Sequence, residues 1–288
     1  MIELDFLEQL KTFHTALKKN STEIKEGEQK SQRTGQGMIF KDHKQYVPGD
    51  DIRKIDWKAY ARTNDFYIKR FEEEKNVTVH ILLDRSSSMD YGKNNKYEYA
   101  AKLAIGAAYM TSKTNDRFRF SVFSETLTDL TAARRHGDLA SLVDSLNHLR
   151  KTPESRIERC ITDYSSRIEN KSVVIILSDF LTDTENVETA LESLQHTDAV
   201  LVNVLDSTEL EPEVKGDAIL KDPESSSKLR TYLSPRTKEK YRDKLEGHTE
   251  KIRESALRNG AEFIQIPTDQ DFFSSFTQMW SLINREQR

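Results

Sequence analysis

The sequence predicts an α/β fold: a doubly wound, mostly parallel sheet flanked by helices, with an N-terminal arm of helical and extended segments. Two observations predict this fold. First, apolar runs rich in Val, Ile and Leu recur at 77–84, 172–179 and 199–206, and such continuous runs are typical of strands buried on both faces of a parallel sheet. Second, the stretches between the runs are long enough for helices, and strands that alternate with helices form parallel α/β sheets.

Residues 1–75 are predicted to form the arm, which holds too few apolar residues for a core of its own and is expected to pack on the main domain. Its first apolar residues, Phe6, Leu10, Phe13 and Leu17, follow a 4-3-4 spacing that predicts an amphipathic helix. The predicted segments are a helix over 2–19, a polar loop over 20–37, extended pieces over 38–46 and 65–73, and a turn over 47–51.

Residues 76–288 are predicted to form the main domain. The segment 117–125 alternates apolar and polar residues, which predicts a strand near an edge of the sheet, and 261–269 predicts a further strand. A hairpin excursion is predicted over about 207–233. The predicted helices span 95–114, 137–149, 156–168, 185–197, 234–259 and 270–285.

Composition and charge argue against several classes of function. The formal net charge is −4 and the pI is about 6.0, so no overall positive field would attract nucleic acid. No apolar run approaches the roughly 20 residues that cross a bilayer, and the chain starts with acidic residues where a signal peptide has basic ones. A single cysteine, Cys160, fits a reducing compartment. We therefore expect a cytoplasmic protein that binds no nucleic acid and spans no membrane.

Three of the predicted strands end in an aspartate: Asp84, Asp179 and Asp206. In an open α/β sheet, ligands bind beyond the carboxyl ends of the strands, where the order of the strands reverses. Carboxylates at these ends can therefore meet a ligand, whereas a carboxylate inside a buried strand would be costly. Asp206 is expected to be a loop or cap residue outside the site.

The segment after the first of these strands carries Asp84, Ser86 and Ser88 at alternate positions. Alternate residues of an extended segment point to one side, so one carboxylate and two hydroxyls are predicted to converge. Hard oxygen ligands of this kind suit Mg²⁺ or Mn²⁺. Because hydroxyls are neutral, such a cation would stay electrophilic and would accept a carboxylate from outside as a further ligand.

The pattern Asp84-x-Ser86-x-Ser88 resembles the metal-ion-dependent adhesion site of von Willebrand factor A domains, which have a Rossmann-like fold. By this resemblance Asp179 matches the second aspartate of the motif, and Ser155 stands about where the family has a threonine. The resemblance implies that the three hydroxyls contact the metal, whereas the two aspartates act partly through water. The predicted metal ligands are thus Asp84, Ser86, Ser88, Ser155 and Asp179.

Two positions depart from that motif. Serine replaces threonine at 155, where Thr152 is a rival for the same role and where Ser155 could instead cap the following helix. Phe180 follows Asp179 at a place where many relatives have glycine.

The arm carries a second resemblance. The stretch YVPGDDIRKIDWKAYARTNDFYIKRFEEE, residues 46–74, is similar to the signature of the bacterial family called domain of unknown function 58. This resemblance covers roughly residues 30–285. It implies a partnership with a MoxR-type AAA+ ATPase or its client, in the assembly or maturation of other proteins.

The leading functional hypothesis is a non-enzymatic module that binds an acidic side chain of a partner protein through its metal. The alternative is a Mg²⁺-dependent phosphohydrolase with Asp84 as nucleophile. Such an enzyme usually needs a second carboxylate two residues later, and Ser86 occupies that position. A third possibility is a structural scaffold whose metal site stays empty.

Overall fold

A six-stranded sheet with helices on both faces organises most of the chain in this computed structural model. The residues that the structure describes are 2–3, 5–23, 38–48, 50–73, 77–114, 116–131, 139–149, 152, 155–168, 172–212, 216–221 and 228–286. The predicted polar loop lies almost entirely outside these residues, since only its first four positions are described and continue the helix before it.

Strands and helices of the described residues alternate along most of the chain. The strands are β1 (Met38–Gln45), β2 (Tyr67–Glu73), β3 (Thr78–Asp84), β4 (Arg117–Phe123), β5 (Thr128–Asp129), β6 (Ser172–Ser178), β7 (Asp198–Leu205), β8 (Gly216–Lys221), β9 (Lys228–Leu233) and β10 (Glu262–Pro267). The helices are α1 (Asp5–Glu23), α2 (Trp57–Thr63), α3 (Lys96–Lys113), α4 (Leu139–His148), α5 (Ile157–Ser165), α6 (Thr184–Glu192), α7 (Ser207–Leu210), α8 (Pro235–Arg258) and α9 (Phe272–Glu286).

The large sheet has the strand order β10-β7-β6-β3-β4-β5. Its pairs are parallel except β4–β5, where the short edge strand runs antiparallel. The chain first adds β4 on one side of β3 and later adds β6 on the other side. The order of the strands therefore reverses between β3 and β6, which is where an open α/β sheet forms its ligand crevice.

Alternate residues of the central strands are buried in two separate cores. In β3, Val79, Ile81 and Leu83 join the core formed with α1, α3, α4 and α9. Leu82 points to the opposite face and joins the core formed with α5, α6 and α8. Burial on both faces explains why the sequence of this strand is continuously apolar. The predicted fold class, a mostly parallel sheet flanked by helices, is confirmed.

The contacts of the chain divide it into two units, residues 1–20 with 77–288 and residues 21–76. The first helix, which the sequence analysis placed in the arm, is part of the larger unit. Its side chains Phe6 and Leu10 are buried, and the Phe6 ring meets the edge of Phe272 in α9 with a centroid separation of 5.1 Å. This apolar contact explains why the apolar residues of the helix follow the 4-3-4 spacing.

The smaller unit contains an antiparallel pair, β1 and β2, and the short helix α2. Helix α2 was not predicted, because its seven residues carry no apolar periodicity. Its local signal is the N-cap: the Asp56 carboxylate accepts hydrogen bonds from the backbone N–H groups of Lys58 and Ala59, which satisfies donors that a helix start leaves unpaired.

Within the predicted excursion after β7, the structure has the short helix α7 and then the antiparallel pair β8 and β9. In the described part of the chain, no helix is both long enough and apolar enough to cross a membrane.

Candidate metal centre at the strand ends

The predicted ligands Asp84 and Asp179 lie at the ends of adjacent strands. Asp84 is the last residue of β3, and Asp179 directly follows β6. The two strands are paired in parallel up to Leu83 and Leu177, so Asp84 on one strand and Ser178 and Asp179 on the other reach the same edge of the sheet. This edge is the crevice where the strand order reverses.

Three serines donate hydrogen bonds to the Asp84 carboxylate. The backbone N–H of Ser86 donates to Oδ1 at 2.8 Å, whereas the hydroxyls of Ser178 and Ser155 donate to Oδ2 at 2.7 Å and 3.2 Å. Asp84 is only 1% exposed. Residues from three separate segments therefore fix this carboxylate in place.

Burial and the nearby Asp179 charge raise the pKa of Asp84 to about 6, against the lowering effect of the hydrogen bonds from Ser178 and Ser86. A buried carboxylate that is shifted in this direction lacks a full counter-charge. Asp84 is therefore a place where an added cation would be stabilised.

The hydroxyls of Ser86 and Ser88 lie 3.0 Å apart, as the alternate spacing predicted. A short 3-10 helix at Ser87–Met89 turns the chain here, so the two side chains converge although the segment does not continue as a strand. Ser87 points elsewhere, and its hydroxyl donates to the backbone oxygen of Thr152 at 3.1 Å.

Ser155 and Thr152 take different roles in the structure. The Ser155 hydroxyl donates to Asp84 instead of capping α5, whose N-cap residue is Arg156 and has no side-chain cap hydrogen bond. Thr152 forms a parallel bridge with Ser86. Its Oγ1 is buried and, among the described residues, has no hydrogen-bond partner.

The Asp179 carboxylate is bound by protein donors on both oxygens. Its Oδ1 accepts from the backbone N–H of Leu181 at 3.2 Å, and its Oδ2 lies 2.7 Å from the Lys96 ammonium. That ammonium also lies 2.6 Å from Oε1 of Glu209. Burial lowers the pKa of Lys96, but the charges of Asp179 and Glu209 outweigh burial and raise it.

Lys96, Glu209 and Ser178 were not predicted as site residues. Lys96 lies in the first turn of α3, and Glu209 lies in α7, 113 residues later. No local pattern connects the two positions. Ser178 ends an apolar run, and a serine at the end of a strand predicts a turn as readily as a site residue.

Phe180 has a φ of +49°, in the left-handed region that is costly for a bulky residue. Its ring is buried in the core on the α5–α6–α8 face, and its carbonyl oxygen accepts a 2.8 Å hydrogen bond from Nε2 of His248. The backbone at this position therefore favours glycine, and packing holds phenylalanine in the same conformation.

Asp206 caps α7 and does not join the other two aspartates, as expected. Its carboxylate accepts from the N–H of Thr208 and from the Thr268 hydroxyl, and Glu209 completes a capping box. Although burial opposes the shift, the hydrogen bonds from Thr208 and Thr268 lower the pKa of Asp206 to about 2.

The residues that converge here fit a small divalent cation. Carboxylate and hydroxyl oxygens are the hard donors that Mg²⁺ and Mn²⁺ prefer. Thr152, whose backbone forms a bridge with Ser86, also has a buried Oγ1 that lacks a hydrogen-bond partner among the described residues. The described residues contain no group of three or more His, Cys, Asp or Glu that could hold a metal, so a site here depends on its hydroxyls.

Comparison with proteins of known sequence identifies relatives without an assigned role. An uncharacterised protein of Mycobacterium tuberculosis is 21% identical over 93% of this chain and 87% of its own length, and the values for one of Mycobacterium bovis are the same.

Solved structures that are similar to this chain share low sequence identity with it. BatB from Bacteroides thetaiotaomicron is 16% identical, covering 73% of this chain and 98% of that chain, with a TM-score of 0.49. The SpRpn10 von Willebrand factor A domain is 12% identical, covering 73% and 94%, with a TM-score of 0.43. Proximal thread matrix protein 1 of the mussel byssus, solved with a zinc-occupied adhesion motif, is 10% identical, covering 72% and 47%, with a TM-score of 0.40.

A family profile matches residues 42–251. This match spans both the signature stretch of the smaller unit and the strand-end residues of the larger one. Because it covers well over half of the 288 residues, the chain belongs to the family described as "Protein of unknown function DUF58".

Proposed function

We propose that the chain is a non-enzymatic protein-binding module whose strand-end centre takes one divalent cation, Mg²⁺ or Mn²⁺, and binds an acidic side chain of a partner protein. The observation that carries this proposal is the convergence of serine donors on the buried Asp84 carboxylate. The residues that would hold the cation are Asp84, Ser86, Ser88, Ser155 and Asp179. When bound, the cation would supply a coordination position for a carboxylate from outside.

The charge balance of these residues supports binding of an outside carboxylate. Asp179 is already paired with the Lys96 ammonium, and Ser86 and Ser88 contribute neutral oxygens. Asp84 is therefore the main source of negative charge for a cation with two positive charges. A cation centre that has too little negative charge around it would attract a further carboxylate, whereas a centre rich in carboxylates would repel it.

The surroundings of Asp84 do not favour the phosphohydrolase alternative. A nucleophilic carboxylate needs an oxygen that is open to substrate, but Asp84 is 1% exposed and both of its oxygens accept hydrogen bonds. Its neighbour two positions later, Ser86, has no carboxyl group to act as acid or base. A phosphatase assay with Mg²⁺ and p-nitrophenyl phosphate tests this point, and turnover that Asp84→Asn abolishes would contradict the proposal.

We propose a MoxR-type AAA+ ATPase, or one of its clients, as the partner and the cytoplasm as the place of action. The family resemblance supports the proposed partner. The single cysteine, Cys160, which is buried and free, supports the cytoplasm as the location. In this role the module would recognise an exposed Asp or Glu on a protein that is being assembled or matured.

A pull-down tests the proposal with the purified MoxR-type ATPase of the same organism as probe. The tagged chain should retain the ATPase in Mg²⁺, lose it in EDTA and regain it when Mg²⁺ is restored. Ser86→Ala should weaken retention, whereas Ser87→Ala is the matched control because its hydroxyl bonds the Thr152 backbone. Retention of the ATPase that is unchanged by EDTA and by Asp84→Ala would contradict a metal-dependent interface.

A further inference from the structure

Lys96 is a fully buried ammonium beside the candidate metal centre. Its side chain is 0% exposed, and Nζ lies 2.7 Å from Oδ2 of Asp179 and 2.6 Å from Oε1 of Glu209. These carboxylates are themselves only 3% and 11% exposed. Taking charged groups out of water is unfavourable unless close partners compensate. Lys96 is therefore the counter-ion of this carboxylate pair.

Backbone N–H groups hold both carboxylates in position through the oxygens that do not contact Lys96. Oδ1 of Asp179 accepts from the backbone N–H of Leu181 at 3.2 Å. Oε2 of Glu209 accepts from the backbone N–H of Asp206 at 3.0 Å, as part of the cap of α7. Since each carboxylate uses its remaining oxygen on Lys96, the two define a rigid place for one cation, and the chain supplies that cation itself.

Asp84 differs from Asp179 in the charge of its donors. Among the described residues, the groups that donate hydrogen bonds to Asp84 are a backbone N–H and serine hydroxyls, all of them neutral. Hydroxyls can rotate and offer an oxygen lone pair to a metal, whereas an ammonium has only donors. A divalent cation that reaches this edge can therefore replace hydrogen bonds at Asp84 more readily than it can displace the ammonium from Asp179.

We infer that Lys96 determines the cation specificity of the centre: its ammonium neutralises Asp179 and Glu209, so that Asp84 is the one carboxylate whose negative charge an incoming divalent cation finds uncompensated, while Asp179 offers it an oxygen that is already paired with the ammonium. This inference rests on the proposed function, because it assigns a cation to the Asp84 side. Ca²⁺ takes more oxygen ligands than Mg²⁺ and favours sites with several carboxylates. The ammonium thus selects against Ca²⁺ by neutralising the charge of two carboxylates.

Calorimetric titration of Ca²⁺ and Mn²⁺ into the full chain tests the inference. Lys96→Met removes the ammonium but keeps an unbranched side chain, and it should tighten Ca²⁺ binding by at least about tenfold. The gain for Mn²⁺ should be smaller. Lys102→Met, on the same helix, is the matched control for a lost positive charge and should stay within about twofold of the wild type.

If Lys96→Met does not fold, Glu209→Gln provides a second test of the inference. This variant keeps the ammonium paired with Asp179 but removes one negative charge near the centre, so Mn²⁺ should bind several-fold more weakly. Unchanged Mn²⁺ affinity in this variant would overturn the inference.

The outcomes separate this inference from the proposed function. If the wild type binds Mn²⁺ but a folded Lys96→Met gains no Ca²⁺ affinity, the inference is wrong and the proposed function stands. If only Lys96→Met binds a divalent cation, the ammonium excludes every divalent cation from the wild-type centre, and both the inference and the proposed function are wrong. If no variant binds either cation, both are wrong.

Discussion

The hydroxyl of Ser178 donates a 2.7 Å hydrogen bond to Oδ2 of Asp84 and so joins the ends of the two central strands, β6 and β3. Both side chains are buried. The carboxylate is therefore fixed at the edge of the sheet by the fold itself. A cation that binds there need not order a mobile loop, which lowers the entropic cost of binding.

The third hydroxyl ligand can be identified by comparing two variants. Ser155→Ala should weaken Mn²⁺ binding by about tenfold or more, because this hydroxyl contacts Asp84 directly. Thr152→Val, which keeps the shape of the side chain, should weaken binding less, because the Thr152 hydroxyl has no contact with Asp84 among the described residues. Calorimetry with Mn²⁺ measures both effects. The opposite order of effects would assign the role to Thr152.

His80 should make the stability of the fold depend on pH. It lies buried in β3, where its ring nitrogens contact the Tyr164 hydroxyl at 2.7 Å and the Ser172 hydroxyl at 3.2 Å. Burial, helped by the charge of Arg119, lowers the pKa of His80 from 6.5 to about 4. The unfolded chain therefore takes up a proton first as the pH falls, and stability that is complete above about pH 6.5 is lost progressively down to about pH 4.

Urea unfolding at pH 6.5 and pH 5 measures this effect. The wild type should lose about 2 kcal/mol from His80 over that interval. His80→Gln retains hydrogen-bonding groups but does not titrate, so the loss should be smaller by this amount, while other titrating groups contribute to both proteins. Equal losses in the two proteins would show that His80 is not held neutral by the fold.

Gly106 should be required for the packing of α3 against α9. A Cβ atom added at this position would lie 2.6 Å from Cε2 of the buried Phe276 ring, so Gly106→Ala should destabilise the fold by about 1–3 kcal/mol. Gly247→Ala is the matched control, because a Cβ atom there meets nothing within 4 Å. Gly247 is an exposed position within α8, so this change should stabilise the fold by about 0.5–1 kcal/mol. Chemical denaturation of both variants checks the contrast, and equal effects would contradict it.

The fold was predictable because the strands of the large sheet are buried on both faces. Continuous apolar runs such as 77–84 reveal such strands without any tertiary information, and a carboxylate at the end of a run marks the ligand edge of the sheet. The convergence of Ser86 with Ser88 followed from their alternate spacing. These features are local in the sequence.

The remaining features depend on contacts between distant segments. A lysine in the first turn of a helix is usually solvated, and the approach of Asp179 and Glu209, which are 83 and 113 residues away, explains the burial of Lys96. The arm was predicted as one segment, but α1 belongs with the larger unit. The apolar stripe of α1 predicted that this helix packs against an apolar surface. The local sequence pattern could not identify that surface.

The most direct test of the metal centre is a titration of Mn²⁺ followed by electron paramagnetic resonance, in which the signal of free Mn²⁺ falls as the ion binds. The wild-type chain should bind one Mn²⁺ that Mg²⁺ displaces. Asp84→Asn, which preserves the size of the side chain but removes its charge, should weaken binding by at least about tenfold. Equal Mn²⁺ binding by both proteins, or a wild-type chain that leaves all Mn²⁺ free at millimolar concentration, would contradict a cation site at Asp84.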